Sequence, residues 1–193
     1  MPAAVRRGLA IVVAAGGSLV AACGSGSGTD TTTPGTPTAP TGPATPPVNA
    51  VRNVHDPAIA KDNGYYYVYS TGPGIPVRRS KDLRQWDSVG VVFAAGLPPN
   101  ASTTVPGVQF PWAPDVSYYD GRWHLYYSLS TFGSQRSAIG LATSPTLDPA
   151  ASTTVWTDQG VVVQSFPGMS YNAIDPTVSF DTAGNQWLAW GSF

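Results

Sequence analysis

A unit of about sixty residues recurs along the chain, and it confines the fold more tightly than any other feature of the sequence. Its first copy runs Asp56-Pro57-Ala58-Ile59, then Asp62-Asn63-Gly64, then Tyr65-Tyr66-Tyr67-Val68-Tyr69. That is a short segment, a turn of the Asn-Gly type and an aromatic, β-branched run. The same order returns as Pro114-Asp115-Val116, Asp120-Gly121 and Trp123-His124-Leu125-Tyr126-Tyr127. It returns again as Asp175-Pro176-Thr177-Val178, a turn over residues 181–184 and Trp187-Leu188-Ala189-Trp190. The leading aspartates are 59 and 60 residues apart. A second half repeats at a separation of 70, Trp86-Asp87-Ser88-Val89-Gly90-Val91-Val92 against Trp156-Thr157-Asp158-Gln159-Gly160-Val161-Val162. Polar third strands are expected between the halves, over 77–80 and 137–143. Each unit reads as four short strands joined by turns, the signature of a β-propeller blade. A β-sandwich with recurring strands is the alternative that turn spacing leaves open, but it gives no reason for an aspartate to open every unit. In a propeller the first strands line the axis, so aspartates at one fixed place in each unit would meet at one pocket.

What precedes the units has a different character. Residues 1–22 carry Arg6 and Arg7 and then an apolar, small-residue stretch too short for a membrane-spanning helix of about 20 residues. They read as a lipoprotein signal peptide ending on Leu19-Val20-Ala21-Ala22-Cys23, which resembles the bacterial lipobox; an ordinary cleaved signal that contains a cysteine is the other reading. Cys23 is the sole cysteine, so no intrachain disulfide can form, and a lone thiol at this place suits lipidation. Residues 23–50 are rich in Gly, Ser, Thr and Pro without apolar periodicity and read as a disordered tether, leaving 51–193 as the folded region. With Arg6 and Arg7 set aside, eight Lys and Arg face eleven acids, which gives no basic surface for nucleic acid. The implied location is extracytoplasmic, held to the membrane by the lipid alone.

All eleven acids are aspartates. Cleavage of a glycosidic bond commonly uses two carboxyl groups, one donating a proton to the leaving oxygen and one activating water or attacking carbon. Converging aspartates suit that chemistry, although an isolated Asp-Pro more often caps backbone N–H groups in a turn.

Four strings occur in order: His55-Asp56-Pro57, Trp112-Ala113-Pro114-Asp115, Thr131-Phe132-Gly133-Ser134 and Tyr171-Asn172-Ala173-Ile174-Asp175-Pro176. Together they resemble glycoside hydrolase family 43, especially its endo-arabinanase branch, over residues 53–193. The resemblance implies an all-β, five-bladed β-propeller with a central active site and an inverting mechanism. It makes Asp56 the general base and Asp175 the carboxylate that raises the acid's pKa and holds it in place. It assigns substrate contacts to Trp112, Phe132, Gly133, Asn172, Ala173, Ile174, Asp175, Ser192 and Phe193, beside Asp56 itself. Trp112 has filling the core as its alternative role. Asp115 is expected to tie neighbouring blades, His55 to touch substrate or line the channel, and His124 to pack in a strand.

The family's acid is a glutamate about one blade past Asp175, and this chain contains none. Two blades and the inner half of a third are counted where the ring takes five, so an incomplete propeller is expected, inactive by itself. No cofactor or metal site is expected within the chain, while a metal on the axis of the full-length protein stays open. The expected partner is an arabinan or another arabinose- or xylose-containing polysaccharide, cut by a monomer. The alternatives are an exo-acting arabinofuranosidase or β-xylosidase on the same fold and a surface lipoprotein that binds glycans without cutting them.

Overall fold

The computed structural model describes residues 10–13, 48–49, 52–149, 151 and 156–191. Cys23, Ser192, Phe193 and most of the expected signal peptide and tether lie outside the described residues. The strands are β1 (Ala10–Val13), β2 (Val48–Asn49), β3 (Ala58–Asp62), β4 (Tyr65–Tyr69), β5 (Pro76–Ser80) and β6 (Gln85–Val91). They continue as β7 (Trp112–Tyr119), β8 (Arg122–Leu129), β9 (Ser137–Ser144), β10 (Thr157–Ser165), β11 (Ile174–Phe180) and β12 (Gln186–Gly191). A single helical turn, α1 (Ala101–Thr104), interrupts the connection from β6 to β7. Strands β3 to β6 form one antiparallel meander and β7 to β10 a second, while β11 and β12 begin a third sheet. Two short strands from the region before the units add in parallel, β2 to β6 and β1 to β12.

Local sequence accounts for the meanders. Asn63-Gly64 joins β3 to β4 and Asp120-Gly121 joins β7 to β8, with φ of 46° and 80° and of 49° and 77°. The two-residue type I′ turn, whose twist matches that of the strands, needs positive φ at both positions, which Asn, Asp and Gly tolerate best. The longer turn into β12 is held by Asp181, whose carboxylate accepts the backbone N–H groups of Ala183 and Asn185 and the Trp187 Nε1–H. The polar third strands fall where expected, at β5 and β9.

Side-chain alternation on the middle sheet decides between blade and sandwich. Leu125, Tyr127 and Leu129 of β8 join Ala138 and Ala142 of β9 against Tyr67, Tyr69 and Val77 of the first sheet and Ile75 just before β5. Tyr126 and Ile139 point the other way, against Leu188 and Trp190 of the third and Ala173 just before β11. A sheet buried on both faces between two others packs as a propeller blade does, whereas a sandwich sheet buries only one. The first strands stand side by side, β7 between β3 and β11.

The expectation that an aspartate holds one fixed place in every unit is corrected by the pairing register. The first residue paired after the proline is Ala58 with Tyr69, Asp115 with Tyr126 and Thr177 with Ala189. Asp115 therefore corresponds to Ala58 and Thr177, and Ala113 corresponds to Asp56 and Asp175. These three pre-proline residues share positive φ, 46° at Asp56, 37° at Ala113 and 53° at Asp175. Proline disfavours right-handed helical geometry in the residue before it, and a non-glycine residue at positive φ costs about 1–3 kcal/mol that its surroundings must offset. In β7 and β11 the kink is a bulge, seen as register shifts between Trp112 and Asp115 and between Ile174 and Thr177.

Candidate active site

The kinks turn three chain segments toward one cleft of about 450 Å³, which the loops after β4 and β8 complete. Of the residues expected from sequence, His55, Asp56, Trp112, Phe132, Gly133, Asn172, Ile174 and Asp175 line it. Ala173 lies beneath the wall, fully buried, with its N–H donated to Ser165 Oγ at 2.9 Å. Asp115 lies outside the cleft, its Oδ2 accepting the Val178 N–H at 2.8 Å across the boundary between second and third sheets. His124 is a buried packing residue, its ring stacked on Tyr119 at 3.6 Å between centroids.

Asp56 is held from two sides. The Thr71 hydroxyl donates to its Oδ2 at 2.7 Å, and His55 Nδ1 lies 3.2 Å from the same oxygen. Thr71 in turn accepts the Ala113 N–H at 2.8 Å, so the kink of the second unit is tied to the carboxylate of the first. On the third unit, the Asp175 N–H donates to the buried Ser128 Oγ at 2.9 Å. Burial raises the Asp175 carboxyl above the ordinary carboxylate range, the charge of Asp56 raises it further, and His55 opposes both. Asp175 remains partly open to the cleft, where water screens that charge. Expelling the water would strengthen the coupling.

An aromatic wall faces the carboxylates. Trp112 and Phe132 meet with ring centroids 5.0 Å apart, and Phe132 is 93% exposed. An exposed phenyl group over a polar cleft presents a flat apolar surface of the kind that covers a sugar ring. Asn172 is anchored by Ser165, whose hydroxyl donates to its Oδ1 at 3.2 Å. Among the described residues no three His, Cys, Asp or Glu side chains come together as metal ligands.

The cleft also contains residues that the sequence reading left out of the site, among them Thr71, Phe110 and Ser130. A cue was available for the hydroxyls, because Ser70-Thr71 and Ser130-Thr131 recur 60 residues apart at the ends of second strands. Nothing comparable marked Phe110.

A sequence profile described as Glycosyl hydrolases family 43 matches residues 44–193. The chain is 42% identical over 145 residues to the extracellular endo-α-(1→5)-L-arabinanase 1 of Bacillus subtilis, covering 72% of this chain and 43% of the relative. It is 39% identical over 143 residues to the extracellular exo-α-(1→5)-L-arabinofuranosidase ArbA of Cellvibrio japonicus, covering 73% and 41%. The solved α-L-arabinanase of Cellvibrio cellulosa, complexed with arabinohexaose, superposes with a TM-score of 0.70 at 39% identity, over 72% of this chain and 45% of that one. The chain thus spans less than half the length of each of these three relatives.

Proposed function

The chain belongs to the family 43 glycosyl hydrolases, and on that premise we propose that the whole protein hydrolyses α-1,5-linked arabinan outside the cytoplasm by an inverting mechanism. The observation that carries this is the meeting of Asp56 and Asp175, from different units, in one cleft with an exposed aromatic wall. Asp56 takes a proton from the attacking water as general base. Asp175 acts on the proton donor, since a neighbouring negative charge keeps a carboxylic acid protonated near neutral pH. This chain contains no glutamate, so the family's donor is not among its residues. An inverting pair stands about 6.5–9.5 Å apart to admit the water. Trp112 and Phe132 cover the sugar face, and Asn172 supplies polar contacts.

Linear arabinan supplied to the whole protein should give shorter arabino-oligosaccharides with inverted anomeric configuration at first release, followed by proton NMR. Retention, or binding without any cleavage, would defeat the proposal, and the latter would favour a glycan-binding surface protein. The 193-residue chain alone should not cleave. An exo-acting reading is kept because relatives named as exo-acting are among the matches; a single short product from the first minutes would favour it, a ladder of lengths the endo reading. Anchoring through Cys23 belongs to the same proposal, and Cys23→Ala should move the protein out of the membrane fraction.

A further inference from the structure

We propose that Thr71 is a positioning residue that sets the working orientation of the Asp56 carboxylate, an inference that rests on Asp56 being the base. Thr71 follows β4, and its own N–H donates to the His55 carbonyl at 3.0 Å, which fixes it opposite the Asp56 kink. A threonine hydroxyl has one proton to give and two lone pairs to receive. The Ala113 N–H, 2.8 Å away, directs its hydrogen at that oxygen, and the hydroxyl proton points at Asp56 Oδ2, 2.7 Å away. His55 Nδ1 approaches the same Oδ2. With Oδ2 taking the Thr71 proton and lying beside His55 Nδ1, Oδ1 is the oxygen left to receive a proton from water in the cleft. A base acts along one line, so fixing which oxygen is engaged also fixes where the water must stand.

Comparison among the units separates this role from strand pairing. Ser128 holds the position in the β7–β8 pair that Thr71 holds beside β3, and it accepts the Asp175 N–H. Gly191 holds it in the β11–β12 pair, with no hydroxyl. The pairing of first and second strands therefore does not demand a hydroxyl there. Thr71 alone of the three donates to a cleft carboxylate. The boundary between the first two sheets thus aims the base, because the amide that orients Thr71 belongs to the second unit.

The test uses the whole protein with Thr71→Val, which keeps the shape without the hydroxyl, and Thr71→Ser, which restores it. On arabino-oligosaccharides, Thr71→Val should lower kcat on the order of 10- to 100-fold with KM within about threefold, and Thr71→Ser should return kcat to within about threefold of native. Unchanged kcat in Thr71→Val, or equal losses in both variants, would overturn the proposal. A native protein that leaves arabinan uncut defeats the functional reading instead. Independently of turnover, the carboxyl ¹³C resonance of Asp56 at neutral pH should move in Thr71→Val and lie near its native place in Thr71→Ser. An unmoved resonance in Thr71→Val would overturn the proposal even if nothing is cut.

Discussion

At the starts of β3 and β11 the residue held at positive φ before proline is an aspartate, Asp56 or Asp175, whereas at the start of β7 it is Ala113 and the aspartate follows two residues on. The backbone device is the same, and its products differ. In the first and third units the kink delivers a carboxylate to the cleft; in the second it delivers an N–H to Thr71 and leaves Asp115 to join sheets. A repeat can therefore conserve a bend while reassigning the side chain that the bend carries. Strained backbone of this kind gathers at functional sites when the surroundings over-determine it, as the hydroxyl contacts of Ala113 and Asp175 do here.

The comparison breaks most visibly in turnover. Asp56→Asn in the whole protein should lower kcat by a factor on the order of 10²–10⁴ with little change in sugar affinity, while Asp115→Asn should leave kcat within about threefold of native. Steady-state kinetics on arabino-oligosaccharides decides it, and a comparable loss in Asp115→Asn would erase the distinction. Next in size is stability: Asp115→Ala leaves the Val178 N–H without its acceptor and should cost about 1–3 kcal/mol in denaturant unfolding. Asp115→Asn keeps an acceptor oxygen. Burial raises the Asp115 carboxyl, so the unfolded chain loses this proton first and native stability falls as pH rises from the ordinary carboxylate range through the raised value. That decline, followed by melts across acidic pH, should be absent in Asp115→Asn.

Smaller effects sharpen the picture of the cleft. Trp112→Ala and Phe132→Ala should each weaken oligosaccharide binding about threefold to tenfold by calorimetry, with Phe132→Ala leaving the melting temperature nearly unchanged because its ring is exposed. The smallest expected change is electrostatic. Asp56→Asn removes the second of two influences that raise Asp175, so Asp175 should titrate at lower pH in that variant yet remain above an ordinary aspartate, as carboxyl NMR would register.

Turns and strand order were legible in the sequence because their causes are local: Asn63-Gly64 and Asp120-Gly121 require particular dihedrals, and the aromatic runs require burial. The register of the second unit was not, since aspartates spaced by 59 and 60 residues outweighed the prolines. Pro57, Pro114 and Pro176 mark the true equivalence, because a proline constrains the backbone before it while an aspartate does not. Asp56, Asp175 and the aromatic pair could be named from motif strings. Thr71 acts through an amide 42 residues away, and no local rule announces such a partner.

The two-residue turns also bear on how the molecule assembles. Each meander joins strands adjacent in sequence, so its pairings span short loops that close within microseconds and carry little loop-closure entropy. An all-β chain of this length would ordinarily fold slowly because its contacts are remote. Apart from the parallel additions of β1 and β2, the remote contacts lie at the boundaries between sheets, among them the bond from Val178 to Asp115. Docking of preformed meanders is therefore the expected slow event. Altering Gly64 should retard folding, while altering Asp115 should chiefly hasten unfolding, a division that stopped-flow chevrons resolve.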